Sequence, residues 1–373
     1  MWLRGIFVSI LIVLIGSFAF GVLLQLTIER FCNQESGKVQ LVDNYQLLRR
    51  KLHVFVVAFL LIHIGLVGGA EVAHEGLASL TIPGILSIGL AMTLFVVTML
   101  ALICLQITDR ETSISLAVHF GSVSVGTFAA AQAFLISRGI PFSSSTAAWL
   151  ALMEVPSILV GACMLGGGLK AIKDTLGDRD ILLLLGTLLV GYFVGPRLVH
   201  RLDFLIVAPF EAVLAYFLFD MGQHTGGHIT QIRDGGLKLI AFGILMALFG
   251  GVLGGLCGTL FSLSVGNVII LSTLSASASY VAATAVMSKL VSAKAIATTL
   301  TVSLGITLPW NILLGIQLYT FMARELNNRQ LSHSLLGVML AGWVSIVCGA
   351  LLVWARMNQT QKEYWEEAGQ EGV

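Results

Sequence analysis

The chain has 373 residues, of which 21 are basic and 20 are acidic, and this charged fraction of 11% is less than half of the roughly 25% that is typical of soluble domains. Hydrophobic residues make up 57% of the chain, and the mean hydropathy is +0.92. These values exclude a water-soluble enzyme and predict an all-α polytopic membrane protein. The net charge of +1 provides no basic field that would attract nucleic acid.

Apolar stretches that are long enough to cross a bilayer, bounded by charged residues, glycine or proline, predict eleven spanning helices. The first five are expected near residues 5–28, 52–72, 82–106, 113–136 and 147–169. The next five are expected near residues 181–196, 204–221, 237–261, 267–288 and 296–322. A last helix is expected near residues 334–355, and a short acidic tail follows it.

The distribution of lysine and arginine predicts the orientation, because loops rich in basic residues stay on the cytoplasmic side. With the N-terminus outside, 15 of the 21 basic residues fall on the cytoplasmic side and 6 on the outer side. We therefore expect a multi-pass protein of the inner (plasma) membrane, with its N-terminus outside and its C-terminus in the cytoplasm.

Several features of the first half of the chain recur in the same order in the second half. The matching pairs are Phe59–Gly69 with Tyr216–Gly227, Ser122–Ser124 with Ser277–Ser279, and Pro156 with Pro309. Each half would hold five helices, which is an odd number, so the second half must cross the membrane with opposite polarity. This pattern predicts two inverted five-helix repeats. The alternative is a chance similarity between glycine-rich apolar segments.

The predicted repeats divide the chain into four parts. The first repeat spans residues 1–170, a short cytoplasmic linker spans 171–180, the second repeat spans 181–323, and residues 324–373 carry the eleventh helix and the tail. The eleventh helix has no counterpart in the repeat. We therefore expect it to pack at the periphery or at an oligomer contact.

Small and hydroxyl residues interrupt the apolar pattern at equivalent places in the fourth and ninth predicted helices. A helix that unwinds there exposes N-H groups and a partial positive charge at the N-terminus of its second half. Two such breaks facing each other would bind a small oxyanion, and serine hydroxyls would add hydrogen bonds without a full charge. The alternative is close helix packing through small residues. The predicted anion site consists of Gly121, Ser122, Val123, Ser124, Ala276, Ser277, Ala278 and Ser279.

Oxygen-bearing side chains close to two prolines predict a cation site. Proline inside a helix releases a backbone carbonyl oxygen, and both Pro156 and Pro309 lie within apolar spans. A carboxylate inside the membrane is costly and is therefore a functional candidate. The predicted sodium ligands are Glu154, Thr307, Asn311 and Asp220. For Glu154, a proton relay or a structural pairing is the alternative.

Histidines in or near the apolar spans raise the question of a metal site. Asp220, His224 and His228 are spaced four residues apart, and metal ligands on one helical face share this spacing. Intervening glycines and the nearby cytoplasmic boundary favour interfacial histidines instead. His63 and His119 are single histidines in apolar spans, where a buried imidazole with satisfied hydrogen bonds is the common outcome.

Residues 29–51 form the longest predicted cytoplasmic loop and include Tyr45, Arg49, Arg50 and Lys51. A juxtamembrane loop of this kind is expected to be solvated or to face lipid headgroups.

Four groups of residues carry a resemblance to a known family. They are His119–Ala131, Ala151–Gly161, Phe219–Gly222 and the stretch from Ser275 to Ile312. In these residues the chain resembles the sodium-dependent bicarbonate transporter superfamily of cyanobacteria and other bacteria, over about residues 5–322. The resemblance implies a ten-helix core of two inverted repeats, a gate domain that forms a trimer, elevator-like movement, and bicarbonate carried inward with sodium. It also implies that residues 121–124 and 276–279 hold the bicarbonate.

Two departures from that family limit what the resemblance implies. The linker at about residues 170–180 is much shorter than the cytoplasmic loop of well-known members, which puts control by a PII-like partner protein in doubt. The eleventh helix is also extra and moves the C-terminus to the cytoplasmic side.

The leading hypothesis is a sodium-coupled secondary active transporter that imports bicarbonate, without catalytic residues, cofactors or any metal other than sodium. Its expected partners are bicarbonate, sodium, the lipid bilayer and further copies of the chain in a homotrimer. One alternative keeps the fold and changes the cargo to another small anion or monocarboxylate. An intramembrane serine protease would instead use Ser122 or Ser124 with His119 or His63, and a channel would lack coupling to sodium.

Overall fold

The structure is a computed structural model that describes residues 2–32 and 39–328, and no strand occurs within these ranges. The predicted eleventh helix near 334–355 and the acidic tail lie outside the described residues. The helices of the first half are α1 (Trp2–Cys32), α2 (Val39–Glu75), a 3₁₀ turn (Leu77–Leu80), α3 (Thr81–Cys104), α4 (Arg110–Gly121), α5 (Val125–Ser137) and α6 (Thr146–Met164).

The second half begins with a short helix where the sequence predicted a cytoplasmic linker. Its helices are α7 (Gly168–Leu176), α8 (Arg179–Val194), α9 (Pro196–Arg201), α10 (Asp203–Ile206), α11 (Phe210–Gly227), α12 (Ile229–Leu260), α13 (Val265–Ala276), α14 (Ala282–Met287) and α15 (Ala293–Val302). Two π-helical turns, Ser303–Thr307 and Asn311–Gly315, then flank α16 (Leu308–Trp310), and α17 (Ile316–Asn328) follows.

Every predicted helix up to residue 322 has a helical counterpart in the structure. Seven helical stretches in the described part are long and apolar enough to cross a membrane: Asn44–Glu75, Leu77–Cys104, Arg110–Ser137, Thr146–Met164, Asp203–Gly227, Gly236–Leu260 and Ala293–Asn327. Val13–Glu29 and Val265–Ala276 are shorter apolar helices. By length and composition, the chain is a multi-pass helical membrane protein.

Close glycine contacts join α1 to α11. A Cβ atom on Gly21 would lie 2.0 Å from the carbonyl oxygen of Phe219, and one on Gly222 would lie 2.1 Å from that of Phe18. A side chain fits at neither position, so glycine is what allows these two backbones to touch.

The same kind of contact joins α2 to α8. A Cβ atom on Gly69 would lie 2.0 Å from the carbonyl oxygen of Leu188, and one on Gly191 would lie 2.3 Å from that of Leu66. The first helix of each predicted half therefore packs against the second helix of the other half.

The remaining helices form a second group around α4 and α13. In the first half α3 packs on α4 and α6, and in the second half α12 packs on α13 and α17. Apolar side chains join the two halves here, for example where the rings of Phe120 and Phe242 meet edge to face at 5.8 Å. This packing places the breaks after α4 and α13 in the protein interior.

The beginning of α4 is fixed by capping. The side chain of Asp109 accepts a hydrogen bond from the Thr112 amide at 2.9 Å, which satisfies one of the free N-H groups of the first turn. The same hydrogen bond holds the pKa of the Asp109 carboxyl below its usual value. Glu111, in this turn, also accepts a hydrogen bond from the Ser292 amide at the start of α15.

The prediction of a solvated loop over residues 29–51 is wrong for its C-terminal part. Helix α2 already begins at Val39, and the Arg49 side chain is only 8% exposed because it pairs with Asp220 of α11. Arg50 and Lys51 are exposed, as expected. The predicted helix begins only at residue 52 because the charges of Arg49, Arg50 and Lys51 favour a loop. Arg49 instead lies inside the protein, where it pairs with Asp220.

Candidate functional site

The fourth predicted helix is broken, as the sequence suggested. Helix α4 ends at Gly121 and α5 begins at Val125, and the backbone between them is extended, with φ −107° and ψ 179° at Ser122. Ser124 caps the second half, because its hydroxyl oxygen accepts a hydrogen bond from the Thr127 amide at 3.1 Å. The break therefore has a defined geometry that its serines maintain.

The ninth predicted helix is broken in a similar way. Helix α13 ends at Ala276, and Ser277 has an extended backbone with φ −85° and ψ 161°. The hydroxyl of Ser277 donates back to the carbonyl oxygen of Leu274 at 2.8 Å. The chain becomes helical again at Ala282.

Two hydrogen bonds join these breaks to each other. The amide of Ser279 donates to the carbonyl oxygen of His119 at 2.8 Å, and the amide of Ser124 donates to the hydroxyl oxygen of Ser277 at 3.0 Å. Residues 121–124 and 276–279 are all buried. The structure thus brings together all eight residues of the predicted anion site.

The packing around the first break leaves no room for a side chain at Gly121. A Cβ atom there would lie 2.7 Å from the Cβ atoms of Phe95 and Ser157, and 2.9 Å from the carbonyl oxygen of Ala91. Helices α3, α4 and α6 therefore meet at this glycine, which holds the break against two neighbouring helices.

One hydroxyl group in the break has no hydrogen-bond partner. The Ser122 side chain is 1% exposed, and its Oγ atom contacts no donor or acceptor among the described residues. Buried hydroxyl groups are usually hydrogen-bonded, and the hydroxyls of Ser275 and Tyr280 beside the second break also lack a partner among the described residues. Ser122 lies next to the N-terminus of α5, where amide groups and the helix dipole favour a negative charge. A small oxyanion bound there would satisfy the hydroxyl.

The second break is supported by side chains of the membrane span Ala293–Asn327. The side-chain nitrogen of Asn311 donates to the carbonyl oxygen of Ala276 at 2.8 Å, and Tyr319 donates its hydroxyl to Asn311 Oδ1 at 3.0 Å. Asn311 is fully buried. It satisfies a carbonyl that the end of α13 would otherwise leave unpaired.

A protein-family model matches residues 46–324, which are about three quarters of the chain and include both broken helices. That family is described as the Na⁺-dependent bicarbonate transporter superfamily. The chain belongs to this superfamily. A comparison with curated proteins found no match. The family confirms the resemblance seen in the sequence and agrees with a multi-pass membrane transporter.

The histidines of this transporter-family protein have structural partners, as the sequence suggested for His63 and His119. His119 contacts the Ser115 carbonyl oxygen through Nδ1 at 2.7 Å and Thr284 Oγ1 through Nε2 at 3.0 Å. His63 contacts the carbonyl oxygen of Ile206 at 2.8 Å. Neither imidazole is hydrogen-bonded to Ser122 or Ser124, so the described residues do not form the serine–histidine pair of a protease.

Three of the four predicted sodium ligands lie on α6 and on the membrane span Ala293–Asn327. Glu154 is 4% exposed and forms no hydrogen bond or ion pair within the described part of the chain. Thr307 donates to the carbonyl oxygen of Gly243 at 3.4 Å, and Asn311 supports α13 as described. No hydrogen bond joins Glu154 to the other two.

The fourth predicted ligand, Asp220, is engaged elsewhere in the transporter. Its Oδ1 atom lies 2.6 Å from Arg49 Nε, and its Oδ2 atom lies 2.7 Å from His53 Nδ1. The carboxyl is 1% exposed. Each carboxylate oxygen of Asp220 therefore already contacts a nitrogen atom of α2.

Sequence reasoning missed two residues that the structure makes prominent, Arg49 and His53. Both belong to α2 and both contact Asp220, 171 and 167 residues later in the chain. The only available signal was a carboxylate inside an apolar span, which requires a partner. The sequence contains several basic residues near that depth and does not distinguish among them.

Proposed function

We propose that the protein is a sodium-coupled secondary active transporter that imports bicarbonate. The observation that carries this proposal is the junction of the two helix breaks, where Ser279 bonds to His119 and Ser124 to Ser277. This junction lies within the part of the chain that matches a family described by both sodium and bicarbonate. The protein would use the sodium gradient as its energy source and perform no covalent chemistry.

In the proposed bicarbonate site, the anion lies against the two extended segments, residues 121–124 and 276–279. Bicarbonate carries one negative charge spread over its oxygens and accepts several hydrogen bonds. The unpaired hydroxyl of Ser122 and the first amide of α5, at Val125, are suitable donors. No lysine or arginine occurs in either segment. Binding would therefore be reversible, as a transport cycle requires.

The proposed sodium site uses oxygen atoms near that junction. Its side-chain candidates are Glu154, Thr307 and Asn311, and the π-helical turns around Pro309 release carbonyl oxygens that suit a hard monovalent cation. Glu154 is buried and has no ion-pair partner among the residues that the structure describes, so a cation would neutralise a charge that is costly in the membrane. Asp220 is left out of this set because its neighbours are nitrogen atoms of Arg49 and His53, whereas sodium prefers oxygen ligands.

We further propose two inverted five-helix repeats that move relative to each other as an elevator. Support comes from the exchanged packing of α1 on α11 and of α2 on α8, with close glycine contacts in both pairs. An inverted repeat related by a two-fold axis would produce such an exchange. The helices around α4 and α13 would then carry the bound ions, and the α1, α2, α8 and α11 group would form the gate.

The proposal includes an orientation and an assembly. In a plasma membrane, the N-terminus would lie outside and the C-terminus in the cytoplasm, which the distribution of basic residues supports. The family resemblance implies a homotrimer, which native mass spectrometry of the detergent-solubilised protein would test. A PII-like regulator is not included, because only Leu165–Asp178 separates α6 from α8 and much of it is α7.

Another small anion or monocarboxylate is the alternative cargo, since hydroxyl and amide donors accept any compact oxyanion. The test is uptake of labelled bicarbonate by cells that lack carbonic anhydrase, at alkaline pH, with an inward gradient of sodium, potassium or choline. Uptake that requires both this chain and sodium supports the proposal. Sodium-independent uptake would contradict coupling. If a different anion is taken up with sodium and bicarbonate is not, that anion replaces bicarbonate as the proposed substrate.

A further inference from the structure

Three side chains with metal-binding atoms converge between α2 and α11. His53 Nδ1, Asp220 Oδ2 and a ring nitrogen of His224 all lie within 4.8 Å of one another. His53 comes from α2, and Asp220 and His224 occupy one face of α11, one turn apart. The sequence had suggested Asp220, His224 and His228 as an unfavoured metal pattern, and the structure replaces the third member with His53.

The spacing of these atoms fits a small divalent metal ion. Ligand atoms about 2.0–2.1 Å from a tetrahedral zinc ion lie about 3.3 Å from each other. Here Asp220 Oδ2 lies 2.7 Å from His53 Nδ1 and 3.9 Å from His224 Nε2. These two separations lie on either side of the required value, and the two histidine nitrogens lie within 4.8 Å of each other. Side-chain shifts of about half an ångström to one ångström would bring all three atoms to the tetrahedral spacing. A metal would take the place of the proton that His53 and Asp220 share.

Arg49 holds the central carboxylate in the orientation that a metal needs. Its Nε atom lies 2.6 Å from Asp220 Oδ1, and its Nη2 atom donates to the Asp220 carbonyl oxygen at 3.3 Å. Oδ2 is therefore directed to the two histidines. Outer hydrogen bonds of this kind fix the ligands of metal sites.

A cavity adjoins the two histidines of the cluster, through which a metal ion and a further ligand could reach it. Its volume is about 550 Å³, and its lining includes Arg49, His53, Gln223 and His224. The side-chain nitrogen of Gln223 is buried without a partner among the described residues. Sites with three protein ligands commonly complete the metal's coordination with water or an anion, and the cavity has room for either.

We propose that His53, Asp220 and His224 form a binding site for a divalent transition metal of the zinc type. Two imidazole nitrogens and one carboxylate suit Zn²⁺, Co²⁺ or Ni²⁺, whereas sodium prefers oxygen ligands alone. The site shares no residue with the proposed bicarbonate and sodium sites. Because its ligands come from α2 and α11, the metal would link a helix of the first half to one of the second.

The test is cobalt binding to the purified full-length chain, carrying an affinity tag without histidines and stripped by a chelator that is then removed. One Co²⁺ per chain should bind, with the strong visible absorption of a four-coordinate ion, and one Zn²⁺ should displace it. H53A and H224A should each bind at least roughly tenfold more weakly. The matched control is H74A, because His74 is also on α2 and its side chain is 70% exposed.

Equal cobalt affinity in the wild type, H53A and H224A would overturn the proposal. A wild-type affinity weaker than about 100 µM would overturn it as well, whether or not the variants fold. A second readout on the wild type is thermal unfolding with zinc or chelator, since a ligand of the folded state raises the unfolding temperature. Both measurements are made without a bicarbonate or sodium gradient, so their outcome is independent of the transport proposal.

Discussion

The amide of Ser279 donates to the carbonyl oxygen of His119 at 2.8 Å, and this hydrogen bond links the two helix breaks directly. His119 is also held by Ser115 and Thr284, so its carbonyl group is a fixed acceptor. The two breaks are therefore held in direct contact. A bound anion that contacts both breaks would stabilise their junction in the same way.

The close contact of Gly250 with the end of α13 can be tested by a substitution that changes no residue of the proposed bicarbonate or sodium site. A Cβ atom on Gly250 would lie 2.0 Å from the carbonyl oxygen of Ser275, and both are backbone positions that do not move independently. We expect Gly250→Ala to lower the free energy of unfolding by about 1–3 kcal/mol. The measurement is thermal unfolding in detergent by intrinsic fluorescence.

Gly186→Ala is the control for that substitution. Gly186 lies in α8, and nothing is within 4 Å of its built Cβ atom. Alanine favours a helix over glycine by about 1 kcal/mol, so this variant should be as stable as the wild type or slightly more so. Equal unfolding temperatures for the two variants would mean that the backbone around Gly250 adapts and does not constrain the break.

Substituting two serines that cap helices distinguishes a role in anion binding from a role in helix capping alone. Ser124 accepts from the Thr127 amide at 3.1 Å, and Ser292 accepts from the Ala295 amide at 3.3 Å. Alanine at either position should cost about 1 kcal/mol of stability through the lost cap. Only Ser124→Ala is expected to raise the bicarbonate concentration for half-maximal uptake, because Ser292 lies outside the junction. A bulky residue, as in Ser124→Leu, should abolish uptake. Similar transport by both alanine variants would remove Ser124 from the site.

The positions of the helices and of both breaks could be predicted from the sequence, and the reason is local chemistry. Apolar stretches report burial in the membrane, and the serines and glycines at residues 121–124 and 276–279 mark where regular helix ends. Contacts between residues that are far apart in the chain produce no comparable local sequence pattern. Arg49 is predicted to lie in a loop because no nearby residue indicates a partner for its charge. Its partner, Asp220, is 171 residues away. His53 escaped notice for the same reason, since no local spacing connects it to Asp220 and His224.

The charge of Glu154 should matter for sodium and not for bicarbonate. The residue is 4% exposed and has no hydrogen-bond or ion-pair partner in the described part of the chain. In the proposed sodium site, the bound ion neutralises its charge; in a proton relay, a proton would do so instead. We expect Glu154→Gln to raise the sodium concentration for half-maximal uptake by about tenfold, which corresponds to about 1.4 kcal/mol. Bicarbonate dependence at saturating sodium should stay within about twofold.

Glu211→Gln serves as the control for Glu154→Gln, because Glu211 is exposed in the first turn of α11. It should leave both concentration dependences unchanged. An unaltered sodium dependence in the Glu154→Gln protein would exclude this carboxylate from the sodium site. It would then leave Thr307, Asn311 and backbone oxygens as the ligands to examine.

The effects of substituting Arg49 and Asp220 on the free energy of unfolding should be strongly coupled, because the two residues form a buried ion pair. Their side chains are 8% and 1% exposed, so removing one charge leaves the other buried with incomplete compensation. Breaking such a pair costs about 3–5 kcal/mol, and we expect Arg49→Met and Asp220→Asn each to approach that range. The double variant should lose less than the sum, because neither charge then remains. Thermal unfolding in chelator measures the cycle without any metal contribution. Additive losses would mean that the two residues stabilise the α2–α11 contact independently, through His53 and through packing of the arginine side chain.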